Sequence, residues 1–191
     1  MSDRFSQVVG NYGPKLMARF GLPAMNSCGF WGSFGRETGG FVHYQELGSG
    51  PNSGGRSWAQ WTGARRIAFL NFCKSHGLDP KSDEAGFGFL CHELEGAYAH
   101  VITAVKKCTD MRSAITVVER LYEGAGVKAM AEREAWGRKA LAILHPGHPE
   151  AVAPAKPKPK PVSDKHAVAP KAAPVRKRAA PVHHVTKHGK R

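Results

Sequence analysis

The chain has 191 residues, with 28 Lys and Arg against 15 Asp and Glu, a net charge of +13. The excess is uneven: beyond residue 150 stand eleven basic residues and a single acid, Asp164, which leaves residues 1–150 close to neutral. This length suits one ordinary core plus an appendage, and no apolar run is long enough to cross a membrane as a helix.

Phe5 to Phe20 repeats its apolar residues at a helical period, and Gly21 with Pro23 ends that helix. Pro23–Glu37 reads as a second helix despite Gly29, Gly32 and Gly35. Each such glycine costs about 1 kcal/mol relative to alanine, so close approach by another backbone is expected there. Residues 39–55 are rich in Gly, Ser, Asn and Pro and predict a small β or loop lobe. Arg65–His76 is a third helix, stopped by Gly77. Ser82, followed by Asp83 and Glu84, starts a helix expected to continue to Val105. Asp110–Tyr122 and Ala129–Leu144 complete the set, with Gly124, Gly126 and Pro146 as stops. The fold class that follows is mainly α, a helical bundle around a cleft, with one small lobe inserted between the second and third helices.

Residues 1–148 form the expected globular domain. Residues 149–191 are an Ala/Pro/Lys-rich tail without aromatics or apolar periodicity. Such a segment cannot bury enough surface to offset its ordering entropy, so disorder is expected. Its separated cations attract any polyanion without recognising a sequence. The segment MSDRFSQVVGNYG has no basic stretch followed by an apolar one, so no signal peptide is expected. Cys28, Cys73, Cys91 and Cys108 form no CxxC pair and read as reduced, buried thiols. No metal or other cofactor is expected.

Glu37 is the residue that asks for chemistry. On a helix it lies roughly 20° from Phe30 and 60° from Phe34, so it continues an apolar stripe. It also ends its helix. Desolvation and the negative helix terminus both favour a carboxyl that holds its proton, which is how glycosidases obtain a general acid. Tyr44, Gln45 and Glu46 follow, then Trp58, Gln60 and Trp61. Aromatic faces stack on sugar rings and amides bond sugar hydroxyls, so these residues are candidate saccharide contacts. The alternative is that both tryptophans are core, which is expected for one of them.

Gly32 to Glu37 with Thr38-Gly39-Gly40, and Ala59-Gln60-Trp61-Thr62-Gly63 with Arg65-Arg66, resemble the phage tail-tip lysozyme family, within the lysozyme-like superfamily. Phe89-Leu90 with Glu93-Leu94, and Glu119-Arg120, resemble its later helices, so the likeness covers about residues 10–140. Thr38 stands where the family has Ser and keeps the hydroxyl; Ser33 stands where Asn is common. The resemblance implies an α+β lysozyme-like fold, with Glu37 as the catalytic acid and bacterial peptidoglycan as the substrate. Glu46, nine residues on, is the candidate second catalytic group. Hydrolysis and lytic transglycosylation of the same bond both remain open, as does an inactive, structural or polyanion-binding virion protein. Virion association or release to the cell wall is implied by the relatives.

Two rival chemistries weaken on inspection. A cysteine peptidase at Cys28-Gly29-Phe30-Trp31 needs a thiolate beside a histidine. A zinc protease at His92-Glu93 needs a second histidine at position 96, which is Gly96.

Overall fold

A computed structural model describes residues 3–50, 52–124 and 129–152, and in it the apolar stripes of the sequence become eight α-helices. Helix α1 (Arg4–Phe20) buries Phe5, Val8, Val9, Tyr12 and Leu16, its side chains at helical spacing. Asp3 caps it by accepting from the Ser6 amide, and Gly21 ends it in the left-handed conformation. Helix α2 (Ala24–Thr38) is buried along nearly its whole length and packs chiefly against α7 (Met130–Leu144) and α6 (Met111–Val118).

The α2 glycines exist for that packing. A Cβ on Gly32 would stand 2.5 Å from the Arg133 carbonyl oxygen, and one on Gly29 would stand 2.8 Å from the Ala114 carbonyl oxygen. Backbone meets backbone at both points, as the sequence led us to expect. Gly32 faces Arg133 while Gly137 lies near Cys28, so α2 and α7 run antiparallel. The C-terminal end of α2 therefore meets the first turn of α7.

Helix α3 (Gly63–His76) ends at left-handed Gly77, and Ser82 caps α4 (Asp83–Glu95), both as expected. The helix expected from Ser82 to Val105 is instead two, α4 and α5 (Ala99–Val105). Gly96 leaves the helical region at φ −106° and ψ −115°, and the Tyr98 amide turns back to the Glu93 carbonyl at 2.8 Å. The expected helix over Asp110–Tyr122 is α6 followed by one π-helical turn, Glu119–Glu123, closed by left-handed Gly124. Gly126 lies outside the described residues. Helix α7 ends at Leu144, and a short α8 (Pro149–Val152) follows, its Glu150 accepting from the Met111 amide. The tail expected to be disordered lies outside the described residues from 153 on.

Among the described residues there is no strand. The inserted lobe, 39–62, is a loop with two isolated antiparallel bridges, Gln45 with Arg56 and Arg56 with Trp61. The mainly helical class holds; a β-sheet does not form because glycines and left-handed residues (Phe41, Ser57 and Gln60) interrupt each extended stretch. No helix among the described residues is long and apolar enough to cross a membrane.

Gly32→Ala should destabilise the protein by about 1–3 kcal/mol through overpacking against a backbone that cannot step aside. Gly10→Ala is the control: Gly10 is exposed on α1 with nothing within 4 Å of its added Cβ. That change should stabilise by about 0.5–1 kcal/mol. Urea denaturation of both variants checks the pair of signs.

Candidate functional site

The end of α2 is tied down from two sides. The Thr38 hydroxyl donates to the Phe34 carbonyl and accepts from the Phe41 amide, both at 2.7 Å. Left-handed Gly39 closes the helix by donating to the Gly35 carbonyl. Those contacts fix Glu37, whose side chain is 24% exposed. It lines an open pocket of about 360 Å³ with Gln45, Glu46, Leu47 and Gln60. Four of the seven candidate residues are thus brought together.

The far wall of the pocket is the loop, and its side chains are held from below. Glu46 is exposed, and its Oε2 accepts from the Gly55 amide at 2.8 Å. The Gln60 side-chain amide donates to the Ser57 and His43 carbonyls at 2.9 and 3.1 Å. Gln60 itself sits at φ +46°, a strained conformation that those bonds hold in place. Gln45 donates to the Gly50 carbonyl at 2.7 Å.

The three aromatic candidates lie elsewhere. Trp58 is 0% exposed and packs with Trp31, Phe34 and Phe41 in the core. Trp61 is 1% exposed, stands against Phe69 and Phe89, and donates to Glu93 at 2.9 Å. Neither presents a ring face to the pocket, which corrects the sugar-platform expectation for both. The Tyr44 hydroxyl donates to Asp83 at the start of α4 and accepts from Arg4 at 3.0 Å. Burial and Asp83 push that hydroxyl up to about 12. All three act as anchors that pin the loop onto the helices.

The buried Arg133 escaped sequence reasoning, and the partly buried Arg65 takes a role its motif did not reveal. Arg133, on the first turn of α7, has a side chain with no exposed surface, and its Nη2 donates to Glu37 Oε1 at 2.7 Å. Arg65 forms a bidentate pair with Glu93 at 2.7 and 2.8 Å and donates to the Tyr122 carbonyl at 2.8 Å. Its guanidinium lies 4.5 Å from the ring centres of Tyr98 and Tyr122. The Tyr122 hydroxyl donates to Glu93 Oε2 at 2.6 Å. This network fixes the π-helical turn, and that turn carries Glu123. Glu123 Oε1 is buried with no hydrogen-bond partner among the described residues. Burial first, then the charge of Glu37, raise its carboxyl to about 8. No motif in the chain marks it; only an acid ending a helix beside glycines hints at it.

All four cysteines are free, three of them buried and Cys108 half-buried. Burial pushes the Cys28 thiol far up, and its Sγ donates to the Ala24 carbonyl at 3.1 Å, so it is no ready nucleophile.

The sequence model described as "Phage tail lysozyme" matches residues 14–144, a span that includes Glu37, Glu46, Glu93, Glu123 and Arg133. No curated protein and no solved structure gives a significant match.

The raised carboxyl of Glu123 makes stability depend on pH. Between 4.5 and about 8 the folded protein keeps a proton that the unfolded chain releases. Its contribution to stability therefore falls as pH rises through that window and stays lost above it. Glu123→Gln removes the loss. Relative to wild type, its Tm should rise by at least about 3 °C on going from about pH 5 to about pH 9, one displaced pH unit being worth about 1.4 kcal/mol. Thermal melts at the two pH values check this.

Proposed function

The chain belongs to the phage tail lysozyme family, and on that premise we propose that it is a peptidoglycan hydrolase cleaving the β-1,4 glycosidic bond of cell-wall glycan strands. One observation carries this reading: Glu37, a half-buried carboxyl at the end of a packed helix, stands on the wall of an open pocket. Glycoside hydrolysis uses two carboxyl groups beside the scissile bond. In this reading Glu37 protonates the leaving oxygen. Glu46, its carboxylate fixed by the Gly55 amide, takes the proton of the attacking water. Gln45 and Gln60 offer amides to sugar hydroxyls and N-acetyl groups. Tyr44, Trp58 and Trp61 support the pocket wall from inside and touch no substrate. The site of action is the host wall, reached from the virion.

Glu37→Gln keeps the side-chain shape, and its amide oxygen can still accept from Arg133. It should fold with lowered stability, because the buried Arg133 loses its counter-charge, and under conditions where it is folded it should lose at least about 100-fold of the lytic rate on purified cell walls, the scale of general acid catalysis. Retention of more than about a tenth of the wild-type rate removes Glu37 from the role. Mass spectrometry of the digest assigns the reaction: new reducing ends mark hydrolysis. Anhydro ends mark a lytic transglycosylase, in which the sugar's own hydroxyl closes a ring. No lysis by the wild-type protein points to a structural module without catalysis.

The basic tail serves as a tether to anionic surfaces in the same reading, since the charge split puts eleven cations and one acid beyond residue 150. Truncation after Val152 leaves the contact between Glu150 and the Met111 amide intact. The truncated protein should turn over small soluble glycans at the wild-type rate and bind whole walls less at low salt. Added salt, which screens charges beyond about 10 Å at 0.1 M, should erase the difference. Loss of activity on soluble fragments would show that the tail takes part in the chemistry.

A further inference from the structure

The pocket that holds Glu37 also holds a cation that the proposed reaction does not use. Arg36, in the last turn of α2, lines it beside Glu37. Among the described residues lining the pocket it is the only arginine or lysine. Gln45, Gln60 and Thr62 are neutral, and Glu46 is a second acid. Arg133 cannot stand in for it, because its side chain has no exposed surface and is committed to Glu37. Arg36 itself is lightly held. Its Nε lies 2.7 Å from Glu132 Oε2, on the first turn of α7, yet completes no hydrogen bond among the described residues. The two side chains are 37% and 65% exposed. An exposed pair of this kind contributes little, so it can give way to a better partner.

A guanidinium finds its best partner in a carboxylate, which accepts from two of its N–H groups at once. A neutral sugar chain offers only hydroxyls and acetamido groups. An anionic chain, for its part, is repelled by Glu46 unless a cation stands near. Resting on the proposed action on wall glycan, we propose that Arg36 is the specificity-determining residue of this pocket: it selects a glycan strand whose side arm carries a carboxylate over an uncharged N-acetylglucosamine polymer. Wall glycan supplies that carboxylate from two sources. Where no peptide is attached it is the lactyl group of muramic acid, and elsewhere it is the peptide stem. Arg36 exchanges Glu132 for this group as the strand binds. It takes no part in the proton transfers.

The test compares three tetrasaccharides on the full-length protein: a chito-oligomer, wall glycan stripped of peptides, and wall glycan that bears them. Each carries a neutral fluorophore, and binding is followed by stopped-flow anisotropy ahead of any cleavage. Salt is held at about 0.15 M, which screens the long-range pull of the tail. Arg36→Gln should weaken binding of a carboxylate-bearing oligomer by about tenfold or more and leave the chito-oligomer within about twofold of wild type. Loss confined to the stripped strand assigns the lactyl carboxylate, and loss confined to the peptide-bearing strand assigns the stem. Arg36→Lys keeps the charge without the fork and should recover only part of the loss. Glu132→Gln removes the resident partner of Arg36 and should bind the charged oligomers at least as tightly as wild type. If Glu132→Gln weakens them as Arg36→Gln does, Arg36 acts by tying α2 to α7 and the proposal is overturned. Equal loss on neutral and charged oligomers, or no loss on either, overturns it as well. A wild type that prefers charged oligomers through Arg36 yet lyses no walls overturns the assigned hydrolysis and leaves the selection standing. One that binds none of the three overturns both.

Discussion

A guanidinium with no exposed surface has to be compensated where it lies, and Arg133 is such a group. Breaking a buried pair by removing one partner costs far more than an exposed pair ever contributes. The architecture around it follows from that requirement. Arg133 sits on the first turn of α7, so a carboxylate must come from the neighbouring helix end. Antiparallel packing of α2 supplies Glu37 there, and only a glycine at position 32 lets the two backbones come close enough. Glu37 is therefore the counter-ion that the fold requires. Its geometry is set by packing and not by a rotamer preference alone.

A second cation, the partly buried Arg65, does comparable work on the other side. Arg65 binds Glu93 with two nitrogens and the Tyr122 carbonyl with a third, and Trp61 and the Tyr122 hydroxyl share the same carboxylate. Every donor in that set comes from a different stretch of chain: the loop end, α3 and the π-helical turn. Inside a low-dielectric interior such a network is strong only when each member is satisfied. Its consequence is local. Tyr122, held by Arg65 at its carbonyl and by Glu93 at its hydroxyl, anchors the π-helical turn that closes α6. Such single turns often occur where a helix must redirect one side chain.

Much of the fold could be read from the chain because its signals are local. Helix stops at Gly21, Gly77 and Gly124, the Ser82 cap and the α2 glycines are each decided by a few adjacent residues. Glu37 was legible for the same reason: its position on an apolar stripe and at a helix end is a property of eight residues. What composition could not separate was the two uses of tryptophan. A glycine-rich loop with Trp58 and Trp61 looks the same whether the rings stack on a sugar or anchor the loop to a core, and here they anchor it. The break at Gly96 was hidden because apolar residues keep a helical period on both sides of it. Arg133 and Glu123 were beyond reach for another reason. Arg133 lies 96 residues from Glu37 in the chain, and its importance comes from burial, which only the assembled helices create.

The pocket has two walls built on different principles, and this bears on how such a site can change. Glu37 belongs to a helix with backbone contacts on both faces, so its neighbours at 29, 32 and 35 have no room for a side chain. The loop wall is held by residues that point inward, Phe41, Trp58 and Trp61, while Gln45, Glu46 and Gln60, facing the pocket, are tied to groups of the loop itself, chiefly its backbone carbonyls and the Gly55 amide. Leu47, at the rim, is 74% exposed and supports nothing beneath it. Substitutions at 45–47 thus alter what the pocket meets with little penalty to the core, whereas a substitution at 32 or 133 disturbs the acid and the fold together. The Glu37 carboxyl is fixed by the helices, and what the pocket presents opposite it is open to change in the loop.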